Sequence, residues 1–511
     1  MINLILALLS GVVGGLLVAA VPKANNRIRN LVVLIFTAMG TIFSWRIAKI
    51  IFSGGNIKIS GEFGGLAWSI APDPLGVLFG LIVSTLWLFA AVYSFGYMEG
   101  KHKQSTYYIF FLLSLSATLG VAFSGNLVAL YLFYELLTFA TYPLVIHERS
   151  PEAIKAGSKY IIYSLSGAGA ILIAIVITYN LAGNQDFING PILTKFLQPE
   201  NIQPGYLKSG LNWLLLLFVA GFGVKAAIMP LHRWLPAAMV APTPVSALLH
   251  AVAVVYSGVY GILRVVYSVF GHNLMGQLGF SNALIWIAAI TILVGVIIAT
   301  RQDVLKRRLA YHTISQLSYI LLGAFTLQPW GLAGALLHMV NYSTLKITLF
   351  FCAGIIAEQT GETKVSNMSG VGWLLPKTMT AFSIASLGMI GMLPLNTFWS
   401  KYYLMKGSVA GGKWPLALVL IGSGIINAIC FIPTVVTAFK GERSLPNGES
   451  IQFEKEKAQH TGRSVQLNTE QGGRVTLMLI PTVTLAIIAL FIGIWPGVIW
   501  SGVEAVVNWL Y

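Results

Sequence analysis

Apolar runs of about twenty residues recur along the whole chain, and short polar segments separate them. A helix rises 1.5 Å per residue, so about twenty apolar residues cross the roughly 30 Å hydrocarbon core of a bilayer. The pattern therefore predicts an all-α polytopic membrane protein with about fourteen transmembrane helices. The predicted spans are 3–21, 31–52, 75–96, 107–124, 127–147, 160–181, 211–239, 244–266, 283–300, 309–327, 331–357, 378–406, 411–438 and 476–500.

Two of the runs carry a proline near their middle, Pro230 in the seventh span and Pro394 in the twelfth. Proline removes a backbone donor and breaks a helix. In lipid, a broken helix survives only where protein or trapped water satisfies the freed backbone groups. The two broken spans lie five spans apart and so cross the membrane in opposite senses. This arrangement predicts two inverted repeats of five helices, a plan common in transporters.

The spans and loops suggest a division of the chain into five parts. We expect three N-terminal helices, two five-helix repeats, a polar cytoplasmic loop and a last transmembrane helix. The corresponding residues are 1–106, 107–266, 283–438, 439–475 and 476–511.

Composition agrees with a membrane protein, because 56% of the 511 residues are hydrophobic and only 10% are charged. Soluble domains are about 25% charged, more than twice the charged fraction of this chain. The mean hydropathy of the chain is also high, at +0.77. The net charge of +15 is attributed to basic loops that face the cytoplasm and not to nucleic-acid binding. With the first helix starting outside, basic residues concentrate in the inner loops. The prediction is a multi-pass protein of the cell membrane with both termini outside.

Cofactor chemistry has no sequence signal in this chain. The two cysteines, Cys352 and Cys430, lie in apolar runs and form no metal-ligand spacing. The chain has no CxxC pair, dinucleotide fingerprint or phosphate loop. We expect no cofactor or metal here.

Few ionisable residues remain inside the predicted spans once the span ends are set aside. An ionisable group at the bilayer centre costs roughly 2.5–3.5 kcal/mol on insertion scales, so each is a candidate functional group. His338, Tyr342 and Lys346 follow one another at four-residue intervals and so share one helical stripe. The candidate proton relay is Glu135, Lys225, His250, His338, Lys346 and Lys401.

Proton hopping is the chemistry that such a row can perform. A lysine in an apolar site can release its proton, a nearby carboxylate holds it protonated, and histidine passes protons near neutral pH. One alternative is that these groups form buried structural ion pairs, although one acid cannot neutralise three lysines. A packing role for His338 also stays open. Two other acids receive local roles: Asp73 as a helix N-cap, and Asp303 as the partner of Lys306 or Arg307.

Four motifs resemble a known family: FYELLTFATYPLV, VKAAIMPLHRWLPAAMVAPTPVSALLHA, VLKRRLAYHTISQLSYILLG and LHMVNYSTLKITLFFCAG. The family comprises the antiporter-like subunits of respiratory complex I, of Mrp-type multi-subunit Na+/H+ antiporters and of energy-converting membrane-bound hydrogenases. The resemblance runs from about Asp73 to Lys406. It implies a fold of fourteen helices in two inverted repeats.

The resemblance also implies roles for residues. Glu135 and Lys225 match a coupled pair, Lys346 a central position and Lys401 an exit-side group. Many members carry lysine where this chain has Tyr256, and an aspartate where it has Ala237. Members without that lysine often carry a histidine at the position of His250, which suggests that His250 takes over the relay.

The expected function is a proton-translocating membrane subunit of a redox-driven complex, with Na+ exchange as an open alternative. Expected partners are other membrane subunits and a peripheral redox arm with iron–sulfur and NiFe or quinone-reactive modules. Among parent complexes, the membrane-bound hydrogenase is favoured. The alternatives are a structural or assembly subunit with a vestigial channel, and a subunit of a gradient-driven Mrp-type antiporter. An oxidoreductase that acts alone on a quinone is disfavoured by the missing cofactor motifs.

Overall fold

The computed structural model describes residues 1–22, 25–197, 206–440, 470 and 472–511. Most of the polar loop predicted at 439–475 lies outside the described residues. The division of the chain into five parts therefore stays a prediction.

Helices dominate the described chain, and each of the fourteen predicted spans falls on helical structure. The helices of the N-terminal half are α1 (Ile2–Ala20), α2 (Asn26–Phe52), α3 (Pro74–Met98), α4 (Gln104–Phe123), α5 (Leu127–Val145), α6 (Pro151–Ala182), α7 (Tyr206–Lys225), α8 (Trp234–Ala237), α9 (Thr243–Ala251) and α10 (Val254–Arg264). Those that follow are α11 (Gly271–Gln277), α12 (Gly279–Thr300), α13 (Leu305–Phe325), α14 (Pro329–Thr360), α15 (Val371–Leu374), α16 (Pro376–Ile390), α17 (Thr397–Ala410), α18 (Pro415–Phe439), α19 (Gly473–Ile494) and α20 (Gly497–Leu510).

Both predicted helix breaks are present. The seventh span stops at Lys225, the last residue of α7, and resumes as short turns after Pro230. The twelfth span stops at Ile390 and resumes at Thr397, with Pro394 between α16 and α17. The peptide bonds before both prolines are cis.

A third break corrects the prediction of a continuous helix over 244–266. The chain leaves helical geometry at Val252 and Ala253, between α9 and α10. The backbone N–H groups of both residues donate to the Leu248 carbonyl, at 3.1 and 2.8 Å. Residues 249–256 around the break contain no proline or glycine, so local sequence gave no sign of it. Beyond α10, residues Val265–Phe270 form a π-helix.

Eleven helices of the described chain are long and apolar enough to cross a membrane. The segments α7, α13 and α16–α17 are not among them, because they are broken or carry polar side chains. These same segments hold several of the candidate relay residues.

The middle of the bundle is formed by α9–α11 and α14. The apolar stretch of 18 residues within Thr243–Gln277 is entirely buried, and the corresponding stretch of α14 is 94% buried. In contrast, only 33–39% of the corresponding stretches of α1, α2, α6 and α18 is buried. Their exposed side chains are apolar, which suits lipid or another membrane subunit.

A small β-hairpin, which the sequence pattern did not predict, lies between α2 and α3. Strands β1 (Ile59–Phe63) and β2 (Leu66–Ile70) pair antiparallel. Gly64 and Gly65 form the turn with φ of +59° and +80°, values that glycine adopts without strain. An ion pair of 2.5 Å between Lys58 and Asp186 holds the hairpin against the loop after α6.

Candidate functional site

The first helix break places Lys225 in the protein interior. Its side chain is fully buried, and its Nζ donates to the Tyr134 carbonyl of α5 at 2.7 Å. The same ammonium lies 3.3 Å from the centre of the Tyr134 ring, a cation–π distance. The carbonyl of Val224, next to the end of α7, accepts from the Trp234 indole N–H at 2.7 Å and from the Ala227 backbone N–H at 3.1 Å. Lys225 is therefore not needed to cap its own helix.

Glu135 follows Tyr134 on α5 and is half-buried. No N–O distance between Glu135 and Lys225 is within 4.0 Å among the ion pairs of the described residues. The two groups are still near enough to interact electrostatically. The Glu135 Oε1 is buried and has no hydrogen-bond partner within 3.5 Å. The two groups therefore form a separated pair without a direct hydrogen bond between them.

Helix α10 approaches the first break closely enough to require glycine. A Cβ on Gly258 would lie 2.3 Å from the Ala226 nitrogen and 2.7 Å from the Phe222 carbonyl oxygen. Real side chains do not approach backbone atoms so closely. Gly258 therefore fixes the position of α10, and through it α9, against the end of α7.

His250 and Lys346 are linked through one hydroxyl and one carbonyl. Lys346 Nζ donates to the Leu309 carbonyl at 2.6 Å, and the Thr313 hydroxyl donates to the same oxygen at 3.0 Å. His250 Nδ1 lies 3.4 Å from the Thr313 oxygen. Because the Thr313 hydrogen is used, Nδ1 must be the donor in this contact. His250 Nε2 is then free to accept a proton and has no other partner within 3.5 Å.

His338 has partners that suit both of its charge states. Its Nδ1 lies 2.9 Å from the Ser400 hydroxyl, whose hydrogen goes to the Thr397 carbonyl, so Nδ1 donates. Its Nε2 lies 3.1 Å from the Gln316 Oε1, a contact that needs a protonated ring. Rotation of the Gln316 amide by half a turn would instead present its N–H₂ to a neutral ring.

Lys401 closes the second helix break. Its Nζ donates to the carbonyls of Met389 and Ile390, both at 2.8 Å, at the C-terminal end of α16. A cation is stabilised there by the negative end of the helix dipole. Lys401 also follows Ser400, the hydroxyl partner of His338. Gly391, at φ +94°, leaves room for this lysine, because a Cβ would lie 2.8 Å from its Cδ.

One member of this cluster escaped the sequence analysis. His312 of α13 is fully buried, and neither ring nitrogen has a hydrogen-bond partner within 3.5 Å. It interacts electrostatically with Lys346, Lys401 and His338. The spacing His312, Gln316, Tyr319 places three polar side chains on one helical stripe, a signal that was present in the sequence.

Tyr256 of α10 is fully buried in the bundle. Its hydroxyl donates to the Met339 carbonyl of α14 at 3.0 Å, next to His338. Its ring stacks on Tyr342 with centroids 6.4 Å apart. Tyr256 therefore packs against the relay helix.

Structural ion pairs do not account for the buried lysines. The described residues form five ion pairs, and none of them includes Lys225, Lys346 or Lys401. Each of the three ammonium groups instead donates to backbone carbonyls. These lysines are therefore held by dipoles and remain free of a direct counter-ion.

Two acids outside the relay have local roles. Asp73 accepts from the Gly76 N–H at 2.8 Å as the N-cap of α3, as the sequence predicts. It also forms a buried bidentate pair with Arg264, at 2.6 and 2.8 Å. For Asp303 the predicted ion pair with Lys306 or Arg307 is wrong. Its carboxylate accepts from the N–H and hydroxyl of Ser366, at 3.0 and 2.9 Å. Ser366 lies in the loop after α14, which packs against Asp303.

Comparison with known proteins agrees with this architecture. The family described as the transmembrane part of NADH:quinone oxidoreductase and Mrp antiporters matches residues 124–426. The chain is 34% identical over 389 residues to NADH-quinone oxidoreductase subunit N of Desulforudis audaxviator (strain MP104C), over 74% of this chain and 75% of that protein. It is 27% identical over 453 residues to Na(+)/H(+) antiporter subunit A1 of Staphylococcus aureus (strain MRSA252). That match covers 86% of this chain but 54% of the relative, so the chain spans about half of its length.

Two solved structures share the fold over nearly the whole chain. A chain of the membrane-bound sulfane sulfur reductase, an archaeal respiratory membrane complex, superposes with a TM-score of 0.83 at 22% identity, over 99% of this chain and 96% of the other. A chain of the Mrp complex from Dietzia sp. DQ12-45-1b also gives 0.83, at 20% identity, over 100% and 97%. Together with the sequence matches, these findings show that the chain belongs to the NADH:quinone oxidoreductase/Mrp antiporter transmembrane family and is an antiporter-like membrane subunit.

Proposed function

We propose that this chain moves protons across the membrane along a row of buried groups. In chain order the row is Glu135, Lys225, His250, His338, Lys346 and Lys401. The observation that carries the proposal is the contact between His250 and Lys346 through Thr313 and the Leu309 carbonyl. It places a proton donor and a free proton acceptor on opposite sides of one short hydrogen-bonded link.

The first part of the row acts as a switch. Lys225 is held by the carbonyl of Tyr134, the residue that precedes Glu135. When Glu135 is charged and close, it favours the ammonium form of Lys225. When Glu135 moves away or is neutralised, Lys225 loses that support and gives its proton to the next group. Because Glu135 is half-buried, a neighbouring subunit can reach it and set the switch.

The central and exit parts of the row complete the path. His250 Nε2 accepts a proton and passes it towards Lys346. His338 then relays it to the Ser400–Lys401 end, since its partners fit both the charged and the neutral ring. Buried polar atoms without partners, such as the nitrogens of His312 and the Tyr342 hydroxyl, offer sites for bridging water between these groups.

The energy source lies in other subunits. Relatives of this chain are named as subunits of an NADH-quinone oxidoreductase and of a Na(+)/H(+) antiporter, so both a redox reaction and an ion gradient are candidate drives. We infer a peripheral redox arm that carries iron–sulfur centres with NiFe or quinone-reactive modules, and a location in the cell membrane with both termini outside. A hydrogenase as the parent enzyme and Na+ as the second ion remain predictions.

The test uses the parent complex in sealed vesicles, with a pH dye and a Na+ dye, while the parent reaction is driven. Lys225→Ala should assemble but lose H+ movement. The matched control is Lys208→Ala, because Lys208 lies on the same helix and is exposed. Lys346→Arg separates charge from proton transfer, since arginine keeps the positive charge but does not release its proton.

Two outcomes decide between the proposal and its alternative. Loss of H+ movement in Lys225→Ala and Lys346→Arg, with normal movement in Lys208→Ala, supports the relay. Normal movement in both relay variants would mean that the channel is vestigial and that the chain has a structural or assembly role. A Na+ signal that disappears together with the H+ signal would identify an Mrp-type exchange.

A further inference from the structure

A basic surface pocket lies where α2 and α4 begin, far along the chain from the proton row. Its volume is about 270 Å³. It is lined by Asn26, Arg29, Lys101, Lys103, Gln104, Ser105 and Thr106. Three of these side chains are cationic and none is acidic.

The N-terminus of α4 contributes to the same pocket. Lys103 is the N-cap residue, and no side chain caps the helix. The first intrahelical bond at this end runs from the Tyr107 N–H to the Lys103 carbonyl. The N–H groups of Gln104, Ser105 and Thr106 therefore have no intrahelical acceptor, and they carry the positive end of the helix dipole. A helix start of this kind favours an anion.

Arg29 gives an independent sign of a ligand. Its side chain is only 2% exposed, yet it lines the pocket, and its Nε has no hydrogen-bond partner. Its Nη2 donates to Gln104 Oε1, and its guanidinium lies 5.5 Å from the centre of the Tyr108 ring. Among the ion pairs of the described residues, none involves Arg29. The guanidinium is therefore buried without a counter-ion, and an anion in the pocket that Arg29 lines would balance its charge.

The carboxylate that pairs with Lys101 of the pocket is shared with a second cation. Glu358, near the end of α14, binds Lys101 through one oxygen and Arg474 through the other, both at 2.6 Å. Lys101 is thereby partly neutralised, but Arg29 and Lys103 are not. The pocket thus keeps an unbalanced positive charge next to the end of the helix that carries Lys346.

We propose that this pocket binds a phosphate-bearing anion, namely the head group of an anionic phospholipid. The pocket lies at the ends of transmembrane helices and therefore at the membrane surface. Directly beside Arg29, α2 exposes Ile28, Leu31 and Ile35, at 47%, 55% and 51%. These residues follow helical spacing, so they form an apolar strip along which an acyl chain can lie below the head group. A soluble phosphate ion would make no use of this strip.

The experiment measures lipid binding to the full-length chain in detergent after removal of native lipid. Native mass spectrometry is used to titrate phosphatidylglycerol, phosphatidylcholine and inorganic phosphate. Phosphatidylglycerol should bind more tightly than phosphatidylcholine. Arg29→Gln should weaken its binding about tenfold through loss of charge-assisted hydrogen bonds, and Lys103→Gln should weaken it less. Arg27→Gln is the matched control, because Arg27 is exposed on the same helix and does not line the pocket.

Three results would overturn the proposal. Equal losses in Arg27→Gln and Arg29→Gln would show only a general attraction to basic surface. Equal binding of the two lipids would show that net negative charge is not recognised. Inorganic phosphate that binds as well as phosphatidylglycerol, and displaces it, would assign the pocket to a soluble ion. If Arg29→Gln does not fold, the exposed Lys103 decides the question alone. None of these results depends on the proton relay.

Discussion

The two helix breaks look alike in sequence but hold their lysines differently. At the first break, the Trp234 indole caps the Val224 carbonyl, and Lys225 reaches across to α5. At the second break, Lys401 itself caps the end of α16 through two carbonyls. The first lysine is therefore held by a helix of another span. The second is held by the other half of its own broken span.

This difference assigns separate parts to the two lysines. Because α5 also carries Glu135, a movement of α5 changes the surroundings of Lys225 directly. Lys401 is shielded from such movement by its local cap and is approached through Ser400 and His338. Under the proposed function, the first break receives a signal, and the second holds a proton until the proposed relay delivers or removes it.

The largest expected effect comes from removing the signal. Glu135→Gln should abolish H+ movement driven by the parent complex, because Glu135 is the one carboxylate among the described residues that acts on Lys225. We also expect weaker transfer at Lys401 if the two breaks are coupled. The measurement is H+ uptake in vesicles, with Glu152→Gln on α6, an exposed acid, as the control. Independent losses at the two lysines would contradict coupling between them.

A glycine substitution should damage the first break through packing. Gly258→Ala places a Cβ against the backbone of α7 and should lower the free energy of unfolding by about 3 kcal/mol, the upper part of the range for overpacking. Thermal unfolding in detergent measures the change. Gly169→Ala is the control, since a Cβ at Gly169 would meet nothing within 4 Å. A stable Gly258→Ala protein would mean that α10 does not rest on the break.

Replacing each lysine by methionine sharpens the comparison. Lys401→Met removes the donor from two carbonyls at the end of α16. Lys225→Met removes a donor from one carbonyl, that of Tyr134, which lies inside helix α5. We expect Lys401→Met to cost about 1–2 kcal/mol more stability than Lys225→Met, the penalty for an unsatisfied buried group. Unfolding temperatures of both variants measure the difference. Lys155→Met, on α6 and exposed, should leave stability unchanged. Equal values for the two buried lysines would contradict the capping role.

The indole cap of the first break can be tested separately. Trp234→Phe keeps most of the ring but removes the hydrogen bond to Val224, which should cost about 1 kcal/mol. The control is Trp213→Phe, because Trp213 lies on α7 and is 59% exposed. Unchanged stability in Trp234→Phe would indicate that the Ala227 N–H, which also donates to the Val224 carbonyl at 3.1 Å, satisfies this carbonyl without the indole.

The smallest effect concerns a loop contact of the second half, between Asp303 and Ser366. The pKa of Asp303 is lowered because the backbone N–H and the hydroxyl of Ser366 donate to its carboxylate. A lowered native pKa stabilises the contact above the unfolded pKa of about 4, and this contribution is lost as the pH falls through the native value. Asp303→Asn should therefore speed hydrogen exchange of the Ser366 amide at pH 7. The Val365 amide, which donates to the Asp303 backbone carbonyl, should not change.

The amino-acid pattern alone was enough to predict the membrane class, the fourteen helical spans and both proline breaks. It also predicted the burial of five of the six candidate relay residues. In lipid, every backbone N–H and C=O group must be hydrogen-bonded within the protein, so spans must be helical. The length of each apolar run and any charge inside it are therefore strong signals in the sequence. The Asp73 N-cap was equally local, because a cap depends only on residues that follow it directly.

Which groups meet follows from the packing of helices that are distant in the chain. The half-buried setting of Glu135 and the meeting of His250 with Lys346 at the Leu309 carbonyl depend on such contacts. The sequence showed that His312 shares a polar stripe, but not that it lies beside Lys346 and Lys401. The same holds for the two ways of capping a broken helix, since Trp234 and Lys401 reach carbonyls about ten residues away in sequence. Spacing places a side chain on a helix face, but the packing of other helices selects the atom that it binds.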